Sequence, residues 1–160
     1  MARARVWLVL LVLALAAGPG AASSLDQFLV VPGRSLGPII IGMRLDSVER
    51  ILGRPTKVDP SGATQWYQWQ APEDHLRSIA VETSQDVVVL ISLAHDPRYR
   101  TNDGLGDGTA MGEVERILGR PSSVTRLGGF SIVQYRKDGI GFVTNGSGLV
   151  TGIVIAPAVI

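Results

Sequence analysis

The sequence predicts an α+β fold made of two tandem repeats, each a short helix followed by an antiparallel β-meander packed on it. Two observations carry this. The eight residues Val48-Glu-Arg-Ile-Leu-Gly-Arg-Pro55 recur unchanged as Val114-Glu-Arg-Ile-Leu-Gly-Arg-Pro121, 66 positions later. Chance does not place an identical octapeptide twice in a chain of 160 residues, so a duplicated unit is expected. After each copy come short runs of β-branched and aromatic residues, separated by Gly, Pro and Asn, which is strand-and-turn punctuation.

The chain opens on Arg3 and Arg5, followed by an unbroken apolar stretch over 6–17 and then by Gly18-Pro-Gly-Ala-Ala22. That is the order of a secretory signal peptide, with cleavage expected between Ala22 and Ser23. As a membrane anchor the stretch is too short: it rises only about 18 Å as a helix, against the roughly 30 Å core of a bilayer. The expected organisation is a signal peptide over 1–22, an N-terminal linker over 23–34, the first repeat over 35–95, a linker over 96–103 and the second repeat over 104–157. The mature protein is expected in the periplasm or outside the cell, with no stable membrane anchor.

Within each repeat the helix comes first. Leu45, Val48, Ile51 and Leu52 fall at i, i+3, i+6 and i+7, one face of a short helix, and Met111, Val114, Ile117 and Leu118 repeat the stripe. Glu49, Arg50, Glu115 and Arg116 lie opposite, as a solvated surface. Gly53 and Gly119 sit where a left-handed residue ends a helix, and Pro55 and Pro121 forbid continuation. Thr109 is a candidate N-cap for the second helix; Met43, its counterpart, is not.

Strands follow at 65–70 and 130–136, with short additions near 56–58 and 122–125. Residues 77–83 are expected to pair with 87–93, and 140–144 with 149–155, the latter through a tight primed turn at Asn145-Gly146. The repeat offset falls from 66 to 62 after the first of these strands. The first copy therefore carries four extra residues near Ala71 to His75, an inserted surface hairpin loop. In the 87–93 strand, simple alternation puts Val87, Val89, Ile91 and Leu93 on one face and Val88 and Leu90 on the other. A sheet apolar on both faces usually has both covered.

Composition excludes several functions. Without Arg3 and Arg5 the chain holds 13 basic and 14 acidic residues and no basic run, which is not the footprint of a nucleic-acid binder. The absence of cysteine excludes a thiol nucleophile, disulfides and a cysteine-ligated metal.

The run Pro32-Gly33, Ile41-Gly42-Met43, Val48 and Leu52-Gly53-Arg54-Pro55 resembles the repeat of β-lactamase-inhibitor-like proteins. It is also similar to the small outer-membrane assembly lipoproteins of the SmpA/OmlA type. Gly104-Leu-Gly-Asp-Gly108, Val114 and Leu118-Gly119-Arg120-Pro121 fit the same pattern, so the resemblance covers roughly residues 31–157. It implies a tandem repeat whose sheets join or abut, with one sheet face free to bind a protein. The lipid-anchoring cysteine of the lipoproteins and the disulfides of the inhibitors are both absent, so neither specific activity carries over.

No catalytic, metal or cofactor constellation is expected. His75 lies in the inserted loop beside Glu73 and Asp74, and His95 follows a strand end beside Asp96; neighbours in sequence do not orient an imidazole. The segment Asp103-Gly-Leu-Gly-Asp107-Gly108 fails calcium-loop spacing and lacks a phosphate-loop lysine. Ser61, Ser84 and Ser147 have no nucleophile elbow around them. The suggestive feature is Trp66-Tyr67-Gln68-Trp69. In a strand, Tyr67 and Trp69 share one face and Trp66 shares the other with Gln68 and Gln70, so at least one large aromatic faces away from the helix. A partner surface is expected to centre on Trp66 or Trp69, with Tyr135 as the counterpart in the second repeat. The functional expectation is an exported, non-enzymatic protein-binding module of the bacterial envelope or extracellular space, without cofactor, its partner an unidentified protein or envelope component. The alternative is a small secreted hydrolase or ligand-binding protein with a site between the repeats.

Overall fold

A computed structural model describes residues 26–160; the signal peptide expected over 1–22 lies outside the described residues. A 3-10 turn over Asp26–Phe28 leads into β1 (Leu29–Val31), β2 (Ser35–Leu36) and β3 (Ile39–Ile40). Helix α1 (Leu45–Leu52) and strands β4 (Lys57–Ser61), β5 (Thr64–Ala71), β6 (Asp74–Ser84) and β7 (Val87–Ala94) follow, then β8 (Arg100–Thr101). Helix α2 (Met111–Leu118) precedes β9 (Ser123–Leu127), β10 (Phe130–Tyr135), β11 (Ile140–Asn145) and β12 (Val150–Ile155). Among the described residues the fold is α+β, with two helices and antiparallel meanders.

The two octapeptides form the C-terminal parts of α1 and α2. Val48 and Val114 are fully buried, while Leu45, Leu52, Met111, Ile117 and Leu118 pack half-buried against the same core. Ile51 departs from the expected stripe and is 44% exposed. A helix of two turns presents a narrow stripe to a sheet, and Ile51 sits on its flank. The helices end on Gly53 and Gly119, at φ +82° and +79°, whose N–H groups donate to the Glu49 and Glu115 carbonyls at 2.8 Å. The glycines' ψ values of −161° and −154° make this an extended positive-φ conformation and not the left-handed helical one expected, and glycine enters it without a Cβ clash.

Helix starts are held by backbone. Arg44 and Ala110 are the N-caps and make no side-chain capping bond. Thr109 lies one residue too early to cap; its Oγ1 accepts from the Gly106 N–H instead. Free N–H groups at the entry are paired across to the last hairpin of each meander, at its turn and at the start of its final strand. Leu45 N donates to the Asp86 carbonyl and Met111 N to the Gly148 carbonyl, each at 2.9 Å. The Gly42 and Gly108 N–H groups donate to the carbonyls of Val88 and Val150 in the same way.

The eight meander strands form one sheet in the order β4-β5-β6-β7-β12-β11-β10-β9, antiparallel throughout. The final strands of the two meanders join it: Ile91 pairs with Ile155, Ser92 with Val154 and Leu93 with Ile153. Its inner face, under the helices, carries Tyr67, Trp69, Val81, Ile91, Val133, Tyr135, Phe142 and Ile153, all buried. A small sheet of order β3-β2-β1-β8 adds Val30, Leu36 and Ile39 to the same core. The two segments read as linkers thus meet: Leu29 and Val30 pair in parallel with Arg100 and Thr101.

The alternation expected along β7 is broken by a bulge. Glu82 pairs with Leu90 and Thr83 with Val88, which leaves Val89 as an extra residue. Val88 therefore joins Ile91 and Leu93 on the inner face and Leu90 falls on the outer one. The matching irregularity in β12 leaves Thr151 unpaired between Val150 and Gly152. The turns also differ from expectation. The two-residue primed turn lies at Gln85-Asp86, at φ +51° and +62°, between paired Ser84 and Val87. At the other hairpin Asn145 Oδ1 accepts from Ser147 N and Leu149 N, and Gly148 takes the left-handed position at φ +74°. The Asn145 side chain thereby organises a loop one residue longer than Asn145-Gly146 alone would require.

The crossing between the meanders is braced by a buried charge. Asp96 is 3% exposed and accepts from Arg98 N at 3.2 Å, Nε at 2.9 Å and Nη2 at 2.6 Å. Arg98 also lies over the Phe28 ring at 4.7 Å, and Phe28 meets Tyr99 edge-on. Burial pushes the Asp96 carboxyl up, but hydrogen bonds from the Arg98 side chain and backbone, with the charges of Arg98 and Arg77, outweigh it and hold the group below its ordinary value. A carboxylate whose folded-state pKa is depressed stabilises above its unfolded pKa and loses that contribution as pH falls through the folded value. Urea midpoints should therefore drop for the native protein below about pH 4, and Asp96→Asn should flatten that acid limb while lowering stability at neutral pH. Parallel acid limbs in the two proteins would show that Asp96 does not contribute to it.

Candidate functional site

The helices and the small sheet occupy one face of the large sheet; the other face carries no element among the described residues. Its composition follows from the pairing register. Residues that alternate with the buried set point outward: Trp66 and Gln68 on β5, Leu90 and Ser92 on β7, Val154 on β12, and Ile132 and Gln134 on β10. Small residues lie between them, including Ala80, Ala94, Gly141 and Gly152. At the β9 end, Leu127 and Phe130 pair across the hairpin and are 45% and 44% exposed.

Of the three aromatics expected at a partner surface, the structure places only Trp66 on this open face, half-buried among its strand neighbours. Trp69 and Tyr135 lie on the opposite face, 7% and 2% exposed. The reason is the helix ends. Trp69 Nε1 donates to the Gly53 carbonyl at 2.9 Å, and the Tyr135 hydroxyl donates to the Gly119 carbonyl at 3.3 Å. Burial, then the nearby Glu115 and Asp138 charges, push the Tyr135 phenol up, so it remains a donor. These two side chains close the helix C-termini over the core. At the offset of 66 the counterpart of Trp66 is Ile132, which shares its face. Following the offset residue by residue would have shown this from sequence.

The histidines are not brought together. His75 is exposed in the β5–β6 hairpin, where its carbonyl accepts from Gln70 Nε2 at 3.1 Å. The neighbouring Glu73 pairs with Arg77, and Asp74 Oδ1 accepts from Leu76 N. His95 takes φ +52° at the end of β7, and its N–H donates to the Thr151 carbonyl. Asp96 beside it is committed to Arg98. Among the described residues no group of three His, Asp or Glu side chains is placed to hold a metal ion.

Sequence reasoning did not find a groove of about 310 Å³ on the open face. Leu90, Ile132 and Val154 are its aliphatic surfaces, and Gly141, without a side chain, leaves its floor open. Pro157 and Val159 of the C-terminal stretch wall one side, which is held there by Val159 N donating to the Arg136 carbonyl. Its polar groups are Gln134 and Arg136. Gln134 Oε1 accepts from Ser123 Oγ at 3.0 Å and from Arg136 Nε at 3.2 Å. The contributing residues come from four separated stretches, so no local motif announces them.

No protein-family model and no curated protein matches this chain. Solved structures do share its fold. An extracellular protein containing an SCP domain from Bacillus anthracis aligns over 73% of this chain and 44% of its own, at 12% identity and a TM-score of 0.53. A cysteine-rich secretory protein from Staphylococcus aureus aligns over 79% of this chain and 48% of its own, at 14% identity and a TM-score of 0.53. This chain thus spans less than half the length of either. No described helix is long and apolar enough to cross a membrane.

Proposed function

We propose that this chain is an exported, non-enzymatic protein-binding module of the bacterial envelope or extracellular space. In this reading it consists of two diverged copies of one helix-and-meander unit joined edge to edge, and its partner sits on the sheet face opposite the helices. The observation that carries the proposal is the uncovered face itself, with Trp66 and Ile132 at matching places in the two halves and exposed Leu127 and Phe130 at one end. A rigid strand presents an aromatic anchor with little conformational entropy left to lose, and an apolar patch rimmed by polar groups is the usual mark of a contact surface. The names of the two similar solved chains, one extracellular and one secretory, support the export side.

A photo-crosslinking residue installed at Trp66 or Ile132 should give discrete adducts in the native envelope or secreted fraction. The same residue at Glu49 or Glu115, on the outer surface of the helices, should give none. Adducts of equal yield from helix and sheet positions, or none from the sheet, would overturn the proposal.

A further inference from the structure

We infer that the groove beside Arg136 is a binding site for an aliphatic monocarboxylate, its chain lying along Leu90, Ile132 and Val154 and its carboxylate on the Arg136 guanidinium. Three observations lead there. First, the polar groups sit together. Gln134 and Arg136 come from one strand end, whereas Leu90, Val154, Pro157 and Val159 are apolar. A space of about 310 Å³ lies at the lower end of the range for small-molecule sites, roughly 300–1,000 Å³.

Second, Arg136 is oriented but not neutralised. Gln134 holds its Nε, and Gln134 is itself fixed by Ser123. Among the described residues no ion pair involves Arg136, while Arg77, Arg98 and Arg116 each face a carboxylate. A guanidinium anchored through Nε presents its two terminal nitrogens as a planar fork, the geometry that takes both oxygens of a carboxylate.

Third, the site suits an alkyl chain better than a peptide. The sheet backbone beneath the groove is already paired within the β10–β11 and β11–β12 ladders. A peptide laid along the aliphatic walls would bury amides without partners, which is costly, whereas an alkyl chain has none to satisfy. This inference is separable from the protein-partner proposal: the two surfaces share Ile132, but Trp66 is not among the residues that line the groove.

Calorimetric titration of the full secreted chain with dodecanoate, kept below micelle formation, tests it. Dodecanoate should bind at one site per chain, and dodecan-1-ol about tenfold more weakly, since it lacks the charge-assisted bond. Arg136→Met, which keeps the stem, should remove that preference and leave the two probes within about twofold of each other. Val154→Asp, on the outer face and away from the core, should abolish binding of both. Arg54→Met, on the far side of the molecule, serves as control and should change nothing. Absence of dodecanoate binding, equal affinity for the alcohol in the unaltered chain, or undiminished preference in Arg136→Met with an unchanged melting midpoint would each overturn the inference. So would tighter binding of a short apolar peptide with a free C-terminal carboxylate. Crosslinking at Trp66 is read separately, so failure of one proposal is distinguishable from failure of the other.

Discussion

Trp69→Ala and Tyr135→Ala should each destabilise the protein by about 3–5 kcal/mol, the range for removing a large buried aromatic from a core. Both side chains are nearly inaccessible, and each has two roles. The ring fills the space between helix and sheet: Tyr67 lies 6.5 Å from Trp69, and Phe142 lies 6.1 Å from Tyr135, edge-on. The polar atom satisfies the carbonyl of the glycine that ends the helix. Conservative variants separate the roles. Tyr135→Phe keeps the ring and loses one hydrogen bond, so about 0.5–1.5 kcal/mol is expected. Against a total stability of about 5–15 kcal/mol, either alanine variant removes a large share and should unfold at a visibly lower urea midpoint. Trp66→Ala, half-buried on the other face, should cost much less. If Trp66→Ala proves as damaging as Trp69→Ala, the face assignment is wrong and the open sheet surface loses its anchor.

What could be read in advance depended on how local the signal was. The hairpins were legible because alternation and turn residues act within about ten residues: β5, β6, β7, β10, β11 and β12 all lie within a few residues of the stretches expected. The bulge at Val89 was not. In a continuous apolar run such as Val87 to Ile91, one extra residue leaves no trace in the pattern, yet it reverses the face of Val88 relative to Leu90 and Ile91. The face of the tryptophans was ambiguous for a related reason, since alternation separates Trp66 from Trp69 but does not say which side the helix covers. The deciding contact, Trp69 to the Gly53 carbonyl, spans 16 residues, and its counterpart from Tyr135 to Gly119 spans the same separation. The small sheet was missed because Leu29–Val31 and Arg100–Thr101 pair across 71 positions with too few residues to show a period. The groove was missed for want of any contiguous motif, although Arg136 stood at the end of an expected strand.

Gly139→Ala should destabilise the protein by about 2–5 kcal/mol, through two separable costs. Gly139 takes φ +69°, a conformation that costs a residue with a Cβ about 1–2 kcal/mol. A Cβ there would also lie 2.4 Å from Gly33 Cα and 2.5 Å from the Ala156 carbonyl oxygen, both backbone atoms that cannot swing aside. Overpacking of that kind adds about 1–3 kcal/mol. Three segments meet at this residue: the Gly139 carbonyl accepts from Gly33 N at 3.0 Å and from Ala156 N at 3.1 Å. The substitution therefore pushes the turn after β1, the β10–β11 hairpin and the C-terminal stretch apart together. Gly148 isolates the first cost. It has φ +74° with nothing within 4 Å of its would-be Cβ, so Gly148→Ala should lose only about 1–2 kcal/mol. Urea denaturation of the two variants side by side measures the difference. Because Ala156 leads into the wall formed by Pro157 and Val159, and Arg136 lies three residues before Gly139, Gly139→Ala should also weaken dodecanoate binding while Gly148→Ala leaves it unchanged. Equal losses of stability in the two variants would mean that the backbone around Gly139 gives way to the added methyl, despite the 2.4 and 2.5 Å approaches a Cβ there would make.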